Sequence, residues 1–215
     1  MSPFKSFFSS SKNAPQWLIV GLGNPGAEYE HTRHNAGFMA LDRLADNFSF
    51  TVDRLKFHAL TGQGRIQDIP CLLMKPQTYM NNSGQSVSEA ASFYKIPPEH
   101  ILVFFDDITQ QPGSLRIRRN GSHGGHNGAK DIEQLLGSSQ YPRIRLGIGD
   151  KPHPDFDLAK WVLSRFSPEE EKEMEQAAKN AADAAVLILK GRIDQAMNRY
   201  NTRHSKAEPK SAPEK

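Results

Sequence analysis

The sequence predicts a single α/β domain in which a twisted mixed β-sheet is flanked by helices. Three observations lead there. Short apolar runs at residues 17–22, 71–75 and 101–105 end in Gly, Pro or Asp and read as buried strands. Stretches with apolar residues at helical spacing lie between and after them, and no segment repeats, so strands and helices alternate around one sheet. The chain has 215 residues, 37% hydrophobic and 24% charged, which suffices for one core, and no break in composition marks an internal boundary.

The elements follow in order. After the first strand, Phe38, Leu41, Leu44, Ala45 and Phe48 share a face and predict an amphipathic helix. Residues 57–64 and 71–75 read as strands with polar and proline punctuation between them. In 83–94, Val87, Ala90, Ala91 and Tyr94 lie on one helical face, and Pro97-Pro98 stops that helix. Residues 101–105 are the clearest buried strand and run into Asp106-Asp107. Residues 115–118 and 143–146 alternate apolar and basic, as half-exposed strands do, and 127–136 is a helix after a glycine-rich loop. Helices are expected at 158–166, at 168–190, whose acidic start suits its dipole, and at 193–200. The ends, 1–16 and 203–215, are rich in Ser, Lys and Pro with little to bury, so they are expected to be disordered around a folded domain of 17–200.

Composition narrows the function. The single cysteine, Cys71, lies in an apolar run and reads as a buried inert thiol. No apolar stretch approaches the roughly 20 residues of a membrane span, and the N-terminus lacks a secretory core, so the cytoplasm is the expected compartment. The formal charge is only +3, yet between residues 114 and 151 seven basic residues face three acids. Phosphate is the commonest partner of such a surface, and solvated strand edges are the plain alternative.

Five motifs carry candidate chemistry. GLGNPG at 21–26 has the spacing of a dinucleotide fingerprint, but Pro25 removes an amide that a pyrophosphate would need, and the acid expected about 20 residues on would fall within a helix. What remains is a tight loop presenting Asn24, whose amide both donates and accepts. EHTRHNAG at 30–37 sets His34 just before a helix, where a neutral imidazole can act as general base; taken alone it would be an ordinary surface histidine. TYMNNSG at 78–84 offers Asn81 in a turn, where capping is the ordinary role. FFDD at 104–107 ends a buried strand with Asp106, which could fix a histidine tautomer. NGSHGGHNGAKD at 120–131 combines glycines that allow close backbone approach with Asn127 at a helix start. The pairs His31/His34 and His123/His126 suggest zinc, but no cysteine pair or HExxH accompanies them, so metal-free chemistry is favoured; a serine triad is weak because no G-x-S-x-G elbow occurs.

Taken together, GLGNPGAEY, TRHNAG, KPQTYMNNSG, ILVFFDD, GSHGGHNGAKDI and RIRLGIG resemble the bacterial-type peptidyl-tRNA hydrolase family over about 17–149. The resemblance implies hydrolysis, without metal or cofactor, of the ester between peptide and tRNA, recycling tRNA released prematurely from ribosomes. It implies His34 as the base, Asp106 as its orienter and Asn24 beside the scissile ester. Tyr29, Met80, Asn81, His126 and Asn127 are then expected to bind substrate. Arg118 and Arg145 would clamp the tRNA 5′-phosphate, with Arg116 and Lys130 as helpers. The implied partner is peptidyl-tRNA, held at its acceptor stem and 3′ end by a monomer. The chain departs from the family at Ile108-Thr109, where a second acid is expected, at Arg118, where Lys is common, and at Asn120–Ser122, where more glycine is common. A non-enzymatic RNA-binding relative of the same fold is the main rival reading, and a dinucleotide-dependent oxidoreductase the second.

Overall fold

A computed structural model describes residues 14–201. The expected disordered ends therefore lie outside the described residues, except for 14–16. There Pro15 is buried and the Gln16 amide donates to the Pro70 carbonyl at 2.8 Å, so ordered chain begins slightly before residue 17.

Seven strands form one sheet: β1 (Trp17–Gly21), β2 (Arg54–Lys56), β3 (Ala59–Ile66), β4 (Ile69–Pro76), β5 (Ile101–Asp107), β6 (Leu115–Arg118) and β7 (Arg143–Gly147). Their order is β2-β3-β4-β1-β5-β7-β6. The central strands β4, β1, β5 and β7 run parallel, while β3 and β2 on one side and β6 on the other are antiparallel additions. The sheet is thus mixed, and six α-helices accompany it among the described residues: α1 (Ala36–Asn47), α2 (Ser83–Tyr94), α3 (Asn127–Leu136), α4 (Leu158–Val162), α5 (Pro168–Leu189) and α6 (Ile193–Tyr200).

The pleat divides the core in two. Along β1, Trp17 and Ile19 pack with the apolar faces of α1, α5 and α6, whereas Leu18 and Val20 pack with α2 and α3. Along β5, Leu102 and Phe104 take the first side and Val103 and Phe105 the second. Both faces of the central strands are covered, which is why they read as continuous apolar runs without alternation. The long helix α5 begins with a capping box: the Ser167 hydroxyl accepts from the Glu170 amide, Glu170 reaches back to the Ser167 amide, and Pro168 occupies the first turn.

The sequence reading missed β2 and shifted β3. Phe57 and His58 both take positive φ, 55° and 52°, and close a two-residue turn between β2 and β3. Such turns ordinarily announce themselves with Asn or Gly, and neither is present here. The second hairpin turn, Gln67-Asp68, is also left-handed at both residues. Helix α4 ends at Val162, short of residue 166, because the chain turns to form a bridge between Arg165 and Thr32.

Two glycines bring α1 against the sheet. A Cβ on Gly21 would lie 2.5 Å from the Gly37 carbonyl oxygen, and one on Gly37 would lie 2.4 Å from the Phe104 oxygen and 2.5 Å from the Leu22 oxygen. These neighbours are backbone of adjoining elements and cannot swing aside. Gly37→Ala is accordingly expected to lower stability by roughly 1–3 kcal/mol through overpacking, as chemical denaturation would measure.

Candidate active site

The functional residues gather beyond the carboxyl ends of the parallel strands, where α/β sheets open their crevices. A cleft of about 620 Å³ there is lined by Asn24 after β1, Met80 and Asn81 after β4, Asp106 and Asp107 at the end of β5, and His34, His126 and Asn127 at helix starts.

Asp106 stands at its centre, 4% exposed. One oxygen, Oδ1, lies 2.8 Å from His34 Nδ1 and 2.9 Å from His126 Nε2. The tautomers follow from the surrounding donors. His126 caps α3, its Nδ1 accepting from the Ala129 amide at 3.2 Å, so its single proton sits on Nε2 and is donated to Asp106. His34 likewise donates from Nδ1, because a carboxylate only accepts, and Nε2 keeps a lone pair with no protein partner among the described residues.

The two histidines are driven apart electrostatically. Burial works against charge on His34, but the charge and hydrogen bond of Asp106 outweigh it and raise its pKa above 6.5. For His126 burial prevails, helped by the nearby positive charges of His34 and Arg145, and its pKa is lowered. Burial also opposes ionisation of Asp106, yet the charges of the two rings and their hydrogen bonds hold its carboxyl well below the usual range. His34 thereby takes up a proton more readily than a free imidazole, and His126 less readily.

Among the described residues, His34, Asp106 and His126 form the one group with metal-ligand spacing. The donor set does not suit an ion. With the His126 Nδ1 lone pair given to Ala129, its Nε2 must carry a proton and cannot coordinate without breaking the cap. The sequence pairs do not assemble a zinc site either: His31 is exposed, and the His123 Nδ1 accepts from the Gly125 amide at 3.1 Å.

Asn24 is held from three directions. Its amide N–H donates to Asn35 Oδ1 at 2.8 Å, its carbonyl accepts from Asn35 Nδ2 at 3.1 Å, and its side-chain Oδ1 accepts from the Met80 amide at 2.9 Å. With Oδ1 occupied, Nδ2 is the group left to donate into the cleft. The Met80 amide reaches it because Tyr79 adopts φ 55° and ψ 162°. That conformation is rare outside glycine and typically costs about 1–3 kcal/mol, the kind of backbone strain found at functional sites.

His34 is secured from behind by its neighbour. Arg33, 4% exposed, makes a paired contact to Glu170 at 3.0 and 2.7 Å, donates to the Ile148 carbonyl at 2.8 Å, and stacks over Trp161 with its Cζ 3.9 Å from the ring centre. The Arg33 amide also donates to the Ser164 carbonyl at 2.9 Å. These bonds tie the His34 segment to α4 and its C-cap, where Leu158, Ala159, Val162 and Leu163 give the cleft an apolar wall.

The structure revises several expected roles. His34, Asp106, Asn24, Met80, Asn81, Asn127 and Arg145 do converge on the cleft. His126 lines it too, but its bonds go to Asp106 and to α3, which makes it a support for the carboxylate. Tyr29 does not line the cleft; it stands edge-on to Tyr79, ring centres 6.4 Å apart, and it is Tyr79 that forms the margin. Arg116, Arg118 and Lys130 lie outside the cleft lining. The basic segment is also partly neutralised: Arg143 is 1% exposed and paired with Glu133, Arg119 meets Asp194, and Arg145 meets Asp107. The sequence reading overlooked Asn35, Arg33, Asp107 and the α4 wall. Asn35 and Arg33 stood inside the RHNAG string, but nothing local set them apart from loop residues. Cys71 is buried as expected, and burial pushes its thiol up to about 12, which leaves it unreactive.

A histidine with a free ring nitrogen, held by a buried carboxylate beside a fixed amide donor at the edge of a parallel sheet, points to a class: an α/β enzyme organised for hydrolysis. Comparison with known proteins narrows the class. The family described as "Peptidyl-tRNA hydrolase" matches residues 18–209, and the chain belongs to that family. It is 52% identical over 186 residues to a peptidyl-tRNA hydrolase of Agathobacter rectalis, covering 86% of this chain and all of the relative. It is 49% identical to one of Caldanaerobacter subterraneus, covering 86% of this chain and 99% of the relative. A crystal structure of peptidyl-tRNA hydrolase from Acinetobacter baumannii superposes with a TM-score of 0.82 at 40% identity, covering 87% of this chain and 97% of the other. No described helix is long and apolar enough to cross a membrane.

The pairing of His34 with Asp106 sets a pH dependence. Because the folded pKa of His34 is raised, the stability it contributes is complete below 6.5 and is lost as pH rises through the folded value. Only the neutral ring offers a lone pair on Nε2, so a reaction that uses this lone pair should show kcat/KM rising with pH through that same value. Asp106→Asn removes the charge, and the His34 inflection, followed by NMR of the imidazole Hε1, should move downward.

Proposed function

We propose that the chain hydrolyses the ester joining a peptide to the 3′-ribose of tRNA, with His34 as base, Asp106 as orienter and Asn24 as oxyanion donor. The observation that carries this reading is the shared Asp106 oxygen, which leaves His34 Nε2 as the lone-pair nitrogen of the cleft.

The steps follow from that geometry. His34 Nε2 takes a proton from water as the oxygen attacks the ester carbonyl, and Asp106 steadies the imidazolium that forms. The carbonyl oxygen becomes an oxyanion, to which Asn24 Nδ2 donates; its orientation is set before substrate arrives because Oδ1 is held by Met80. Collapse expels the ribose oxygen, and the imidazolium returns its proton there, which restores the enzyme. Asn81 and Asn127 offer polar contacts to the peptide and the tRNA end, while Met80 and the α4 wall take apolar groups. A wall of Leu, Ala and Val recognises bulk without reading identity, which suits an enzyme that must accept many peptides.

Phosphate recognition falls to the face of β6 and β7. Arg116 pairs in register with Arg145, and Arg118 with Arg143, so the four side chains project from one side of the sheet. In this reading Arg145 and Arg118 hold the tRNA 5′-phosphate, with Arg116 and Lys130 adding to the field at the acceptor stem, where backbone contacts position the RNA without reading its sequence. The working unit is a monomer of the cytoplasm, its catalytic domain spanning about 17–200.

The first test is hydrolysis of N-acetyl-aminoacyl-tRNA in the presence of EDTA. The wild type should release tRNA, and His34→Ala should lose about 10²–10⁴ in rate while still binding. Binding without cleavage by either protein would turn the reading into that of an RNA-binding relative. Arg118→Ala should weaken tRNA binding and flatten its salt dependence by about one released counterion, measured by fluorescence titration at several salt concentrations; no salt dependence in the wild type would refute the clamp.

A further inference from the structure

We infer that Asp107 is a positioning residue for Arg145, holding its guanidinium end-on to the cleft to receive the 5′-phosphate. The inference rests on the phosphate reading of Arg145 given above.

Asp107 ends β5, and its carboxylate is 1% exposed. Oδ1 accepts from the Thr109 amide at 2.9 Å and from the Thr109 hydroxyl at 2.7 Å, while Oδ2 accepts from Gln110 Nε2 at 2.6 Å. With three donors fixing it, this carboxylate has one orientation. Arg145 Nε is buried and lies 3.0 Å from Oδ2, an ion pair in which Nε makes no aligned hydrogen bond, so the carboxylate holds the guanidinium by charge. Gly124 also runs close to the guanidinium: a Cβ there would fall 2.5 Å from Arg145 Nη2 and 3.0 Å from Cζ. Asp107, the Gly124 backbone and the Phe105 ring, whose centre lies 5.8 Å from Cζ, all border the group.

The contact explains more than charge balance. Burial is the main cause that lowers the pKa of Arg145, the charge of Asp107 opposes it, and Arg116, Arg143 and Arg118 add to it as like charges. Left alone, a long flexible side chain so placed would turn outward to solvent. The ion pair with Asp107 holds it in. It also leaves Nη1 and Nη2, which have no protein acceptor among the described residues, as the pair available to two phosphate oxygens. At the position where the family resemblance calls for a further acid, Thr109 contributes only a hydroxyl, which it donates to Asp107.

The test compares N-acetyl-aminoacyl-tRNA carrying a 5′-phosphate with the same substrate carrying a 5′-hydroxyl, using wild type, Arg145→Gln, Asp107→Asn and Gly124→Ala. The wild type should prefer the phosphate, and Arg145→Gln should lose the preference. Asp107→Asn should raise KM for the phosphorylated substrate about tenfold, the effect of losing one well-oriented charged contact, with kcat within about twofold and the 5′-hydroxyl substrate unaffected. Gly124→Ala leaves every charged group in place and should give the same KM-specific loss, which keeps the question answerable if Asp107→Asn folds poorly. Full 5′-phosphate preference in both variants would overturn the positioning role while leaving the phosphate reading intact. Equal losses on the two substrates would reduce Asp107 to a structural residue and overturn it as well. If wild type and Arg145→Gln both ignored the 5′-phosphate, the phosphate reading itself would fall, and this inference with it.

Discussion

The site depends on one buried oxygen. Asp106 Oδ1 accepts from two histidines that enter from opposite layers of the fold, one ahead of α1 and the other at the cap of α3. An ionised carboxyl at the end of a core strand would be costly without such partners. Each ring satisfies part of the charge, and each is oriented by it in return. Remove the carboxylate and three things fail together: the proton is no longer confined to His34 Nδ1, His126 loses its partner, and the α3 loop loses a bond to the sheet. The close approach of Gly21 and Gly37 serves the same end, since any wider spacing would carry His34 away from β5.

The arrangement separates chemistry from support. His34 and Asn24 offer groups to the cleft, whereas His126, Asn35, Arg33 and Glu170 spend all their bonding on holding others. Support reaches far along the chain: Arg33 and Glu170 are 137 residues apart, yet together they join the catalytic loop, the end of β7, α4 and the first turn of α5. The apolar wall opposite the base is therefore not an independent flap. Its position is coupled to His34 through the adjacent Arg33, so wall and imidazole share one frame.

Much of this was legible before the fold was known, and the reason is local. Helices α2, α3 and α6 and strand β6 fall where the residue pattern put them, because periodicity and capping act over a few neighbours. The mixed sheet and a cleft at its carboxyl edge follow from alternation of strands and helices. His34, Asp106 and Asn24 could be read because each ends or precedes a recognisable element, and family resemblance gave them roles. The missed features were long-range. Nothing near Asp107 in sequence announces Arg145, nothing near Arg33 announces Glu170, and β2 is a three-residue exposed strand that exists because β3 lies beside it. Basic composition likewise overstated the free positive surface, since Arg143 is consumed inside the protein by Glu133 and neighbouring carbonyls.

His126 limits how the sequence can drift. The position must accept a helical amide with one atom and donate to a carboxylate with another, from opposite ends of a rigid ring, while remaining uncharged. Asp, Ser and Thr are good caps but leave Asp106 facing an acceptor or an over-short donor. Lys and Arg donate but cannot cap, and they would carry charge into a buried site. Asn and Gln have both functions on one amide, but the Asn NH₂ stands one bond nearer the backbone than the ring Nε2 that reaches Asp106, and the Gln oxygen one bond farther than the ring Nδ1 that caps α3. Imidazole is the one common side chain that meets all the demands at once. The position is a choke point for variation, although both ring nitrogens of the residue are engaged by the protein itself.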